Sequence, residues 1–310
     1  MGRCDEATIR PEYLPARKFD VPICLLHLCS MITDTHFDQY RREGYFILEN
    51  ALRPDILKNV QDEAMRFKQL FDGRMREAGV EVWDINHLNK RYFISLYHNH
   101  SDILKEYLFS EQMAAICRAT VGPEVFLFQE QFVIKGAEVG MTFSWHQDGG
   151  WFTPDCPPYV SIWLALDDMT EENGTIYVLP QTRMAKRGWL PHRVDPKTND
   201  RIGYEGADPG EPVFVPAGSM AVFSHQTLHR SGANTTKNMR RVYLAQYSCA
   251  PILNRHYLYS DYTEKGAGAD DVAFFARRFL RNWKIDREDA YPVREPKRID
   301  PAQQKATARA

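Results

Sequence analysis

Two short runs of this chain carry side chains that bind metals. In Trp145-His146-Gln147-Asp148 an imidazole and a carboxylate stand two residues apart. On an extended strand that spacing puts both on one face, because side chains alternate with period two. Alone, such a pair is common in solvated or core strands. Roughly 80 residues on, room enough for the strands with which a jelly roll brings distant runs together, comes Ser224-His225-Gln226-Thr227-Leu228-His229-Arg230-Ser231-Gly232. Two histidines and one carboxylate form the facial set that holds iron(II) and leaves positions open for a cosubstrate and O₂. His225 and His229 are four apart and share strand parity, so the pattern does not choose between them; the other is read as a core or supporting imidazole. Arg240 opens the next β-rich run, where its planar fork suits a carboxylate taken bidentately.

The elements that must position these groups change character along the chain. Thr33 or Asp34 is placed to cap a helix over residues 36–43, Gly44 ends it, and residues 45–48 read as a short buried strand. Ile56, Leu57, Val60, Ala64 and Phe67 recur near the helical period within 53–71, and a further helix is expected over 111–121, stopped by Gly122-Pro123. From 124 to 250 the chain becomes short β-rich runs cut by turn residues: 125–134, 142–146, 159–166, 175–179, 212–215, 219–225 and 240–248. This favours a mainly β fold with α additions, a jelly-roll, cupin-like core flanked by N-terminal helices, over a parallel α/β sheet. Residues 272–283 are expected to form a closing C-terminal helix. One domain is expected over 31–285, with 1–30 a loosely attached leader and 286–310 a mobile tail.

The chain has 310 residues, 39 basic and 41 acidic, and a net charge of −2 without long single-sign blocks. No electrostatic footprint for nucleic acid or an anionic membrane is visible, so a small-molecule partner is expected. The apolar run 21–32 contains Pro22 and His27 and is shorter than the about 20 residues of a membrane span. Six cysteines, at 4, 24, 29, 117, 156 and 249, form no C-x-x-C pair and read as reduced thiols of a cytoplasmic protein. Oligomeric state has no signature here.

With these residues in place, the chain resembles the phytanoyl-CoA dioxygenase family of iron(II)/2-oxoglutarate oxygenases. The resemblance is carried by Trp145–Asp148, Asn173-Gly174-Thr175-Ile176-Tyr177-Val178-Leu179-Pro180, Pro216-Ala217-Gly218-Ser219, and His229-x-Ser231-Gly232-x-Asn234 leading to Arg240. It implies a double-stranded β-helix core and iron on His146, Asp148 and His229, the Ser-Gly-x-Asn context selecting His229 over His225. It also implies 2-oxoglutarate with its far carboxylate on Arg240, assisted by Ser231, in a pocket lined by Gln131 and Trp163. The sequence departs from the family at Gln181-Thr182-Arg183. The polar insertion that follows, 184–211, is expected to be a solvated loop, with a part in substrate access as the alternative.

The expected function is a dioxygenase that oxidises a C–H bond of a small organic molecule, most simply by hydroxylation, while 2-oxoglutarate becomes succinate and CO₂. Substrate classes include intermediates of secondary metabolism, modified amino acids and acyl thioesters. Asp148 stands where halogenating relatives lack a carboxylate, which points to an oxidant of the hydroxylase kind. Trp151 and Phe152, beside the flexible Gly149-Gly150 turn, are expected to wall the substrate or to pack the sheet. Rival readings are a metal-dependent cupin-like isomerase or lyase, a non-catalytic ligand-binding jelly roll, and a hydrolytic zinc enzyme. The first has no need of Arg240, the intact triad with Arg240 argues against the second, and the third lacks a neighbouring general base.

Overall fold

The computed structural model describes residues 32–83, 85–196 and 200–253, and strands Arg278–Arg281 and Lys284–Glu288. The expected leader, three of the cysteines and most of the expected tail lie outside the described residues. Four α-helices lie within residues 34–120. α1 (Asp34–Glu43) has Thr33 as its N-cap and stops at Gly44, whose φ is +82°. A Cβ there would lie 2.7 Å from both Gln181 Nε2 and Thr227 Oγ1, so the turn needs glycine twice over. α2 (Pro54–Glu77) opens on proline, which suits a first helical turn, and runs on past Phe71. α3 (Asp102–Leu108) and α4 (Glu111–Thr120) are each capped by a serine, Ser101 and Ser110, that accepts a backbone N–H of the first turn.

The strands in chain order are β1 (Tyr45–Leu48), β2 (Val82–Trp83), β3 (Asn86–His87), β4 (Arg91–Ser95), β5 (Glu124–Lys135), β6 (Phe143–His146), β7 (Tyr159–Ala165) and β8 (Ile176–Leu179). They continue with β9 (Arg193–Val194), β10 (Arg201–Ile202), β11 (Glu211–Pro212), β12 (Met220–Ser224), β13 (Leu228–Ser231), β14 (Arg240–Ser248), β15 (Arg278–Arg281) and β16 (Lys284–Glu288). A large sheet runs β1-β12-β7-β14-β5-β4-β3-β2, and a small one runs β11-β8-β13-β6. Pairing is antiparallel throughout. The two sheets form the jelly roll. Between them lies a core that includes Trp163, Ile176, Val178, Ala221, Phe223, Val242 and Leu244. The outer face of the large sheet takes the helices, through Phe67, Met75, Leu104, Ile116, Tyr243 and Tyr247 among others. The alternation within β14 is therefore functional: even-numbered residues face the small sheet, odd-numbered ones face the helices.

Three expectations change. Residues 278–281 are extended and not part of a closing helix; 272–277 lie outside the described residues. β15 pairs with residues 124–127 of β5, a stretch that β4 does not reach, because β4 pairs only with 131–135. An open sheet edge carries unpaired backbone N–H and C=O groups, and a strand satisfies them where a helix cannot. Residues 286–288, the start of the expected tail, belong to β16. The run 212–215 contributes only Glu211–Pro212 as a strand, although Val213 and Val215 are buried in the inter-sheet core. Among the described residues, no helix is long and apolar enough to cross a membrane.

Candidate active site

β6 and β13 are neighbours in the small sheet, and their register sets His229 directly opposite His146. The ring centroids are 4.1 Å apart. Both imidazoles are oriented the same way. His146 Nδ1 lies 2.8 Å from Ser144 O and His229 Nδ1 3.1 Å from Thr227 O, in each case the carbonyl two residues back. A carbonyl only accepts, so Nδ1 carries the proton and Nε2 keeps its lone pair for a metal. Burial, reinforced by the neighbouring His229, holds His146 well below the ordinary imidazole value, in the neutral form that ligates.

Asp148 lies just past β6, at the start of a short 3₁₀ turn, Asp148–Trp151. Gln147 is still extended, with φ −103° and ψ 140°, so the strand alternation persists one residue beyond the pairing. Asp148 Oδ1 is 3.8 Å from His146 Nε2 and 3.6 Å from His229 Nε2. Two ligands each about 2.1 Å from one ion are at most about 4.2 Å apart, so both separations suit a common centre. His146, Asp148 and His229 are the group of metal-binding side chains that converges among the described residues. The other carboxylate oxygen, Oδ2, is occupied: Ser161 Oγ donates to it at 2.5 Å and Gln246 Nε2 at 2.9 Å. His225 stands apart from this group. It is buried against Tyr159, ring centroids 5.0 Å apart, and burial pushes it down to about 4.

Arg240 sits at the mouth end of β14 and is 1% exposed. Its Nη2 donates to Gly174 O at 2.8 Å, while Nε and Nη1 are buried without a partner. The indole of Trp163 lies beneath it, 5.9 Å from Cζ to the ring centre. Burial lowers the guanidinium to about 10, which leaves it charged at neutral pH. Two unanswered N–H groups on a buried cation are costly. A carboxylate supplies an acceptor on this cation together with the compensating negative charge, and that is the observation by which a keto acid's far end fits this site. Ser231 is adjacent, but its hydroxyl accepts from Lys135 Nζ at 2.9 Å and does not bond Arg240. Gln131 faces the same interior, opposite Leu244, and its Oε1 accepts from Ser95 Oγ at 3.2 Å.

Trp151 stands edge-on to His146, ring centroids 5.3 Å apart, and lies parallel to Phe143 at 6.5 Å. Phe152 is 6% exposed and packs with Phe128, Cys156, Tyr159 and Ile252. Its contacts are those of a core ring, the second of the two roles expected for it.

The insertion is not a solvated loop. Its backbone and side chains are bonded to the strand that carries His146 and to the turn that follows. Gly203 N donates to Trp145 O at 2.8 Å, Gln147 N to His192 Nε2 at 2.9 Å, and Leu190 N to Gln147 Oε1 at 2.8 Å. Gln147 Nε2 reaches Gly188 O and Gln226 O at 2.8 and 2.7 Å, and Trp189 Nε1 reaches Gly149 O and Phe152 O at 3.1 and 3.0 Å. The His192 ring fills the space over Gly150 and Gly203, where a Cβ would come within 2.5 and 2.4 Å of it. Sequence reading missed Gln147, Ser161, Lys135, His192 and Gln246. Gln246, Ser161 and Lys135 carried only a weak signal, strand parity with Arg240, Trp163 and Gln131.

Comparison with known proteins bears on family and fold. The family model described as phytanoyl-CoA dioxygenase matches residues 40–242. A phytanoyl-CoA dioxygenase domain-containing protein 1 of Danio rerio is 25% identical over 263 residues, 69% of this chain and 89% of that protein. L-proline trans-4-hydroxylase of Streptomyces griseoviridis is 24% identical over 233 residues, 68% of this chain and 84% of the hydroxylase. Among solved structures, EctD from S. alaskensis superposes with a TM-score of 0.57 at 18% identity, covering 80% of this chain and 88% of EctD. The epimerase SnoN, solved with Fe³⁺, α-ketoglutarate and nogalamycin RO, superposes with a TM-score of 0.55 at 19% identity, over 84% of this chain and 96% of SnoN.

Proposed function

The chain belongs to the phytanoyl-CoA dioxygenase family, and from that premise we propose that it oxidises a C–H bond of a small organic molecule, with iron(II) on His146, Asp148 and His229 and the far carboxylate of 2-oxoglutarate on Arg240. Its enzyme class is that of the 2-oxoglutarate-dependent non-haem iron dioxygenases. The single observation that carries the residue assignment is Arg240: a buried guanidinium with Nε and Nη1 unanswered, in the same inter-sheet space as the His-Asp-His group. A cupin-like isomerase or lyase that works without O₂ has no keto acid to place on that cation.

When bound, iron and 2-oxoglutarate supply oxidising power from O₂ through decarboxylation of the keto acid to succinate and CO₂. The chain supplies placement. Ser144 and Thr227 carbonyls fix the tautomers that present Nε2. Ser161 and Gln246 tie down Oδ2 of Asp148, so Oδ1 is the oxygen that faces both imidazoles. Phe143 and Trp151 lay apolar surface beside His146, which limits water there and favours a substrate with an apolar or ring-bearing part. Relatives named for proline hydroxylation and for a nogalamycin complex support a substrate among modified amino acids or intermediates of secondary metabolism.

The test is anaerobic reconstitution with iron(II) and 2-oxoglutarate. A visible charge-transfer band is expected in the wild type and lost in His229→Ala, with His225→Ala retaining it; succinate release is then read over a substrate panel in air. Arg240→Met is expected to weaken keto acid binding by about 100-fold, in line with loss of a charge-assisted bidentate pair. If the band forms equally well without Arg240, the assignment of that residue fails. Catalysis untouched by Arg240→Met would favour the isomerase or lyase reading.

A further inference from the structure

Three buried cations stand in one row across neighbouring strands of the large sheet. Arg240 of β14 is directly opposite Lys135 of β5, and Lys135 is directly opposite Arg91 of β4. Each is no more than 2% exposed. Directly opposed residues on one sheet face have Cβ atoms about 4.5–5.5 Å apart, so the three heads share one small volume. Among the described residues, the carboxylate bonded to them is Asp200 from the insertion, 3.2 Å from Arg91 Nη1. Asp167 also acts on Arg240 but its oxygens are bonded to Arg241. Arg91 Nε donates to Ile85 O, and its Nη2 is buried without a partner, like Nε and Nη1 of Arg240.

We propose that binding of the keto acid's far carboxylate beside Arg240 takes up a proton from solvent, and that Lys135 Nζ receives it. This deepens the cosubstrate assignment above and rests on it. A guanidinium does not shed its proton in a protein, whereas a lysine amine does so readily when buried. Of the three cations, Lys135 is therefore the one that relieves the excess positive charge before the keto acid arrives. Burial first, and then Arg240 and Arg91, hold it well below the ordinary lysine value, with Asp200 opposing. Among the described residues, these are the charged groups that act on it. An arriving carboxylate adds the missing negative charge and reverses the balance. The protonated amine then donates to Ser231 Oγ and Gly232 O, contacts already formed. With its oxygen engaged as acceptor, Ser231 has its own hydroxyl proton left to give to the carboxylate. Ser231 would thus assist the keto acid through Lys135 as a positioning residue.

The experiment is calorimetry of 2-oxoglutarate binding to the anaerobic iron(II) protein near pH 8, in buffers that differ in ionisation enthalpy. Uptake approaching one proton per keto acid is expected, with the association constant falling up to about tenfold per pH unit across the window. Lys135→Met is expected to bind more weakly with the uptake abolished; Lys135→Arg, permanently charged, is expected to bind without uptake. Circular dichroism checks that both variants fold. Binding without proton uptake in the wild type, or the same uptake in Lys135→Met, overturns the inference and leaves the Arg240 assignment standing. Failure of the wild-type iron(II) protein to bind 2-oxoglutarate at all overturns both.

Discussion

Ser161 and Gln246 decide which oxygen of Asp148 faces the imidazoles, since both donate to Oδ2 and to no part of Oδ1. Removing the amide in Gln246→Leu lets the carboxylate rotate. Iron(II) affinity, measured by competition with a chelator, is expected to fall about 10- to 100-fold, the range found when outer partners of metal ligands are lost; an unchanged affinity would show that Ser161 alone fixes the rotamer. Trp151→Ala is expected to raise KM for substrate with little change in 2-oxoglutarate affinity, because the indole stands edge-on beside His146, whereas the ring against Arg240 is that of Trp163. If neither turnover nor KM moved, Trp151 would be a packing ring like Phe152. The ligands were legible in sequence because their geometry is local: period two places His146 with Asp148, and the Ser-Gly-x-Asn context marks His229. Gln246, Ser161 and Lys135 were not. Their roles depend on cross-strand register, and a single sequence does not state which residue of β5 or β7 lies opposite which residue of β14.

At the scale of elements, β14 was read with its exact span, and β5, β6, β7, β8 and β12 within about two residues at each end, the ordinary uncertainty of boundaries. β13 was missed because Leu228–Ser231 holds two charged or titratable residues in four, a composition set by the metal site and not by strand preference. The insertion was misjudged for a related reason. Its polar residues suggested solvation, yet its docking uses backbone amides, carbonyls and the Gln147 side chain, none of which hydrophobic patterning reveals. Gly150→Ala tests what that docking does. The new methyl would meet the His192 ring at about 2.5 Å, so the insertion is expected to shift outward while the three metal ligands stay in place. Limited proteolysis within 184–204 should quicken, and succinate formation should become less coupled to product; cleavage rates equal to wild type would mean that His192 accommodates the change by turning.

For the molecule as a whole, the buried imidazoles set its response to acid. His146, His192 and His225 all have values lowered by burial, His225 to about 4. An unfolded chain binds protons at these sites near pH 6.5, the folded one only at lower pH, so the unfolded state gains protons first. The contribution of these imidazoles to the stability of the metal-free protein is therefore full above pH 6.5 and declines as the pH falls from 6.5 toward 4, His225 alone accounting for about 3 kcal/mol across that interval. Thermal melts of metal-free protein between pH 7 and 4 should show the decline, and His225→Phe should flatten it; an unaltered slope in that variant would place the acid sensitivity elsewhere. Iron(II), which competes with protons for His146, should move the melting temperature upward at neutral pH and lose that effect in acid.

Gln147 occupies the one position between two ligands, and its side chain is spent entirely on holding the carbonyls of Gly188 and Gln226 and the amide of Leu190. The insertion is thereby moored to the residue that joins the two ligands. A graft of a foreign loop into this scaffold would keep its iron only if the newcomer offered a C=O and an N–H at the same two berths.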